Sequence, residues 1–111
     1  MKKRYMLRKN WEFQKIIDSK KQISNKYMVI YYAKSDEFRV GISIPKKFAN
    51  AVQRNYNKRV IKAILGQYPY YSEIKKTLVI ISRKEFLKLD FQTRKNELIK
   101  LLERIRNGTV K

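Results

Sequence analysis

Apolar residues recur along this chain with two periods, one helical and one of two. Between Trp11 and Ser19, Phe13, Ile16 and Ile17 fall on one side of a helix, and Asn10 is a residue type that caps helix starts, so a first helix is predicted over 11–19. Lys26 to Ala33 reads KYMVIYYA, rich in aromatic and branched side chains, which predicts a strand mostly covered on both faces. Tyr31 shares one face of it with Tyr27 and Val29. Ser35-Asp36-Glu37 is a turn, and the returning segment alternates Phe38, Val40, Ile42 and Ile44 with Arg39, Gly41 and Ser43. The two strands are expected to form an antiparallel hairpin, ended by Pro45, which has no N–H for a ladder.

A second helix is expected from Ala49 or Asn50 to Leu65, with Gly66 at its end. At about 100° per residue, Val52, Tyr56, Val60, Ala63 and Ile64 share an apolar arc. Arg54, Asn55, Lys58, Arg59 and Lys62 fill a basic arc, with Ile61 and Leu65 near its edge. A loop around Pro69-Tyr70-Tyr71 leads to a buried strand over 77–82. A short helical turn at 85–87 follows, and then a last helix capped by Asp90 with Phe91, Leu98, Leu102 and Ile105 as its apolar stripe. The order is α-β-β-α-β-α. It predicts the α+β class, an α/β sandwich of helices on a small mixed sheet, as one domain over residues 1–111.

Charge changes the picture. Lys and Arg number 28 against 9 Asp and Glu, a formal net charge of +19, while 43% hydrophobic residues still permit a core. Such an excess calls for a polyanionic partner: RNA, DNA or an anionic membrane. No acid occurs from Ile42 to Ser72, whereas a merely solvated helix face interleaves both signs. Lys46 and Lys47 precede the second helix, where backbone N–H groups favour phosphate. There is no Cys and no His, which excludes disulfides, Cys/His zinc sites and Ser-His or Cys-His nucleophile pairs. The acids are scattered, with only Asp36-Glu37 adjacent, so a self-sufficient nuclease is not expected. Met1-Lys2-Lys3-Arg4 is like the start of a signal peptide, but no apolar stretch follows and no run reaches membrane-spanning length. The expectation is a cytoplasmic protein with no membrane partner.

The segment 39–65 carries Arg39-Val40-Gly41, Lys46-Lys47, Asn50-Ala51-Val52, and Arg54-Asn55 with Lys58-Arg59. In this pattern the chain resembles the bacterial ribonuclease P protein family, with departures at Tyr56 (usually Arg), Ala49 (commonly Gly) and Ile17 (commonly Phe). The resemblance implies a two-part enzyme. A catalytic RNA binds the magnesium ions that activate water and remove the 5′ leader of precursor tRNA. The protein holds that RNA by its basic helix and the single-stranded leader in a cleft between the first helix and the sheet. It also implies a left-handed strand–helix–strand crossover, against the usual rule. Carried over by position, Lys46, Arg54, Asn55, Lys58, Arg59 and Lys62 are candidates for the catalytic RNA, and Phe13, Ile17, Tyr31 and Lys47 for the leader cleft. No catalytic or metal-binding residue is expected on this chain, and no obligate protein partner. The alternative is a ribosomal or other structural RNA binder without a tRNA-processing role.

Overall fold

The segment most apolar on both faces takes the interior of the sheet. The computed structural model describes residues 5–108; Met1-Lys2-Lys3-Arg4 lies outside them. Strands β1 (Gln22–Ser24), β2 (Met28–Lys34), β3 (Arg39–Ser43) and β4 (Lys76–Ser82) form one four-stranded sheet in the order β1-β2-β4-β3. Helices α1 (Asn10–Asp18), α2 (Ala51–Gln67) and α3 (Phe91–Arg106) pack on it, and short 3-10 turns occupy Tyr71–Glu73 and Lys84–Lys88.

The expected β2–β3 hairpin does not form. β4 lies between the two strands, antiparallel to β2 and parallel to β3. Leu78, Val79 and Ile80 are fully buried, so β4 needs cover on both faces and pairing on both edges, which only an interior position supplies. The 17-residue α2 makes the long crossover that parallel strands require. The unexpected β1 has only Ile23 turned inward, between Gln22 and Ser24, too short a run to show a period.

One sheet face, with Met28, Ile30, Tyr32, Val40, Ile42, Leu78 and Ile80, meets α2 and α3 in the main core. The other face carries a smaller cluster of Leu7, Ile16 and Val79, flanked by Phe13, Ile17, Tyr31, Ala33 and Ile81. The 9-residue α1 is too short to cover this face, so β2 alternates buried and half-buried positions instead of being covered on both sides. Tyr27 precedes β2 and packs on the main core, so it does not share the setting of Tyr31.

α2 starts where the chain chemistry dictates. The Asn50 side chain accepts from the Gln53 N–H at 2.8 Å, and the Gln53 side chain accepts from the Asn50 N–H at 3.0 Å. The helix then runs through Gly66 to Gln67, so Gly66 does not end it. Its rotation also departs from the expected arc. Asn57, Val60, Ile61, Ile64 and Leu65 are buried, while Val52 and Tyr56 are 78% and 61% exposed. Ile61 and Leu65 bury more apolar area than Ala63 would, and α3 locks that choice. Arg94, itself buried, donates to the Asn57 side-chain oxygen and to the carbonyls of Leu87 and Leu89. In α3, Phe91 stays 42% exposed, and Leu101 joins Leu98, Leu102 and Ile105 in the core. Asp90 caps this helix by accepting from the Thr93 N–H at 2.8 Å. In α1, Lys9 takes the cap position and Asn10 is the first helical residue. The Glu12 carboxylate reaches back to the N–H groups of Lys9 and Arg8 at 3.1 and 3.3 Å.

Candidate nucleic-acid interface

β3 is an edge strand, with the α1 cluster on one side of the sheet and the α2 core on the other. Along this edge run two adjoining hollows of about 500 and 520 Å³ that share Asn10, Phe13, Ile42 and Lys58. Together they form one groove. Asn10, Phe13, Gln14 and Ile17 line it from α1, Ile42, Ser43 and Ile44 from β3 and the residue after it, and Arg54, Lys58 and Lys62 from α2, with Lys46 at one end. Met6, Leu7 and Arg8 line the other end, where the Leu7 N–H donates to the Val40 carbonyl at 2.8 Å.

No Asp or Glu lines either hollow. Asp18, at the end of α1, accepts from the groove residue Gln14 at 2.8 Å, and six other acids are engaged away from the groove. Glu12 pairs with Arg39 at 3.3 Å, and the Lys9 backbone N–H, with help from Arg39, holds its carboxyl below the ordinary range. Glu73 and Glu103 meet Arg106, Glu85 meets Lys88, Glu97 meets Lys100, and Asp90 caps α3. The groove cations therefore keep their charge for a ligand.

Gly41 has a defined purpose here. A β-carbon on it would lie 2.6 Å from the ring atoms Cε2 and Cζ of Phe13. The missing side chain lets the aromatic ring lie on the sheet beside the groove. Gly41→Ala is expected to push the ring off, at a cost of about 1–3 kcal/mol in stability. A thermal melt alongside a titration with single-stranded RNA measures both effects.

The structure joins residues that the resemblance divides between two surfaces. Phe13 and Ile17 share the groove with Lys46, Arg54, Lys58 and Lys62. Arg54 is half-buried and donates to the Ala49 carbonyl at 3.2 Å, which pins it beside the groove. Lys47, Asn55 and Arg59 are exposed and do not line it; the Lys47 ammonium sits 5.1 Å over the Phe48 ring. Tyr31 is half-buried on the same sheet face as Phe13 and Ile17 but stands on β2, with β4 between it and β3. Arg8, Asn10, Gln14, Ile42 and Ile44 also line the groove without having been singled out in the sequence. Asn10 lies three residues from Phe13 and Gln14 three from Ile17, so helical spacing carried that signal. Ile42 and Ile44 gave none, because their groove position depends on β3 being an edge.

Cationic walls, an apolar aromatic side and no acid hold a nucleic-acid strand by phosphate and base face together. On this frame they define a small basic α+β protein of the nucleic-acid-binding class. A family model described as Ribonuclease P matches residues 1–106. The ribonuclease P protein component of Mycoplasma mobile is 54% identical over 111 residues, covering 100% of this chain and 98% of that protein. The solved structure of the Staphylococcus aureus RNase P protein superposes with a TM-score of 0.79 at 32% identity, over 89% of this chain and 93% of that one. The RNase P protein of Thermotoga maritima gives a TM-score of 0.79 at 31% identity, over 89% of this chain and 96% of that one. The chain belongs to the ribonuclease P protein family, protein subunits of an endoribonuclease holoenzyme of tRNA processing. These matches do not favour the reading as a ribosomal or other structural RNA binder.

Proposed function

We propose that this chain binds the catalytic RNA of ribonuclease P through α2 and holds the 5′ leader of precursor tRNA, as a single strand, in the groove between α1 and α2. The observation that carries the reading is the acid-free groove with Phe13 and Ile17 on one wall and Arg54, Lys58 and Lys62 on the other. Apolar side chains offer a surface only to unpaired bases, since a duplex keeps its bases stacked on one another. Arg59 and Asn55, exposed on α2 outside the groove, remain free to meet the folded RNA. Tyr31 extends the apolar shelf beyond Ile17, and Lys47 stands before the start of α2.

Cleavage is assigned to the RNA partner. The chain has no His, and the described residues contain no group of three or more His, Cys, Asp or Glu that could hold a metal ion. The donors present do not suit magnesium, whose sites here would be built from RNA phosphates. No described helix is long and apolar enough to cross a membrane. The reading places the protein in the cytoplasm with its RNA partners.

The test is a reconstituted complex with ribonuclease P RNA, titrated in parallel with precursor and mature tRNA. Tighter binding of the precursor, and cleavage only when the RNA subunit is present, are expected. Equal affinity for both tRNA forms would remove the leader assignment, and cleavage by the protein after all RNA is digested away would remove the division of labour.

A further inference from the structure

α1 divides the sheet face on which it lies. Asn10, Phe13, Gln14 and Ile17 face the groove, and at about 100° per residue, positions 11, 12, 15 and 16 point to the opposite flank. On that flank is a third hollow of about 220 Å³. Trp11 and Lys15 of α1 form one side, and Lys34 at the end of β2 and Arg39 at the start of β3 form the other.

Trp11 is the one tryptophan of the chain, and it is 62% exposed. It belongs to neither core cluster, so packing does not account for it. A large aromatic left open to water is the informative kind of exposure. Its neighbours are cationic. Glu12 is the one acid lining the hollow, and its charge is matched by Arg39 at 3.3 Å and by the backbone N–H groups of Lys9 and Arg8. Lys15 and Lys34 remain in excess; Asp36 and Glu37 in the adjoining turn do not line the hollow. Among the described residues the buried Arg39 Nε has no hydrogen-bond partner, so the guanidinium still has a donor to satisfy.

We infer that this hollow is a second single-strand subsite, in which an unpaired nucleobase stacks on the Trp11 indole and its phosphate is held by Lys15 and Lys34. An indole face beside two unmatched ammonium groups suits a nucleotide, whereas an anionic lipid headgroup would use the lysines and leave the ring unstacked. The inference rests on the RNA-binding reading of the main groove but involves none of its cationic residues. The nucleotide comes either from the leader or from the catalytic RNA.

The single tryptophan makes the site directly observable. The full chain is titrated with labelled single-stranded oligo(A), reading label anisotropy for total binding and tryptophan emission for this subsite. Quenching of the emission together with the anisotropy change is expected, with no matching quench from an RNA duplex of equal phosphate count. Trp11→Ala is expected to weaken oligo(A) binding about 5- to 100-fold, with Trp11→Phe recovering most of the loss. Lys15→Gln with Lys34→Gln, which together hold one phosphate, should flatten the log–log salt dependence by about 0.7. Anisotropy change without quenching, or unchanged affinity in Trp11→Ala, overturns the subsite and leaves the groove standing. No anisotropy change at all overturns both. In the reconstituted complex, quenching by precursor but not mature tRNA assigns the nucleotide to the leader, and quenching on addition of the RNA subunit alone assigns it to the catalytic RNA; either supports the subsite.

Discussion

Replacing Arg54, Lys58 and Lys62 together by glutamine is expected to lower affinity for single-stranded RNA on the order of 100-fold at 0.1 M salt. Each phosphate contact to a single strand contributes about 0.7 to the slope of log affinity against log salt, so three lost contacts flatten it by about 2. Carried over the decade from 1 M down to 0.1 M salt, that slope gives the hundredfold loss. The fold should survive. Lys62 is exposed and Lys58 half-buried, and Arg54 makes one hydrogen bond, to the Ala49 carbonyl. The measurement is a titration of labelled leader RNA at several salt concentrations, with a thermal melt of the variant. An unchanged slope in a folded variant would mean that the strand does not follow the groove.

Arg94→Ala is expected to cost about 3–5 kcal/mol of stability through a side chain that does not line the groove. Arg94 donates to the Leu89 carbonyl at 2.9 Å, to the Leu87 carbonyl at 3.0 Å and to the Asn57 side chain, and lies 4.9 Å over the Phe86 ring. Burial pushes its pKa below the ordinary arginine value, yet the guanidinium stays charged at any working pH. Truncation leaves three acceptors unpaired and a void where the fork lay. For a chain of this length the loss corresponds to a drop of about 10–20 °C in Tm. Arg94→Lys should restore only part, because one ammonium cannot reach three acceptors arranged for a planar fork. Far-UV circular dichroism on heating checks this, and a melt unchanged in Arg94→Ala would show that apolar packing alone joins α2 to α3.

The two variants separate charge from frame. The triple glutamine variant should stay folded and lose RNA, and the Arg94 variant should lose RNA only in proportion to the fraction unfolded. Arg94 was not legible as structural in the sequence. An arginine in the first turns of a basic helix reads as one more surface cation until the carbonyls of Leu87 and Leu89 are placed beside it.

Local chemistry determined much of this protein. The apolar periods located all three helices and the longer strands; Asn50-x-x-Gln53 and Asp90 set the starts of α2 and α3; the acid-free run and the Arg39 to Arg59 pattern pointed to RNA and to the family. These signals lie within a few residues of one another, where helix, strand and cap energies are decided. Tertiary structure alone decided which elements became neighbours. It placed β4 between β2 and β3, turned Asn57 inward and Tyr56 outward, opened the β3 edge so that Ile42 lines a groove, and brought Phe13 within reach of Lys58. A periodic pattern records that one side of an element must be covered, but what covers it is chosen by summed burial across the whole chain.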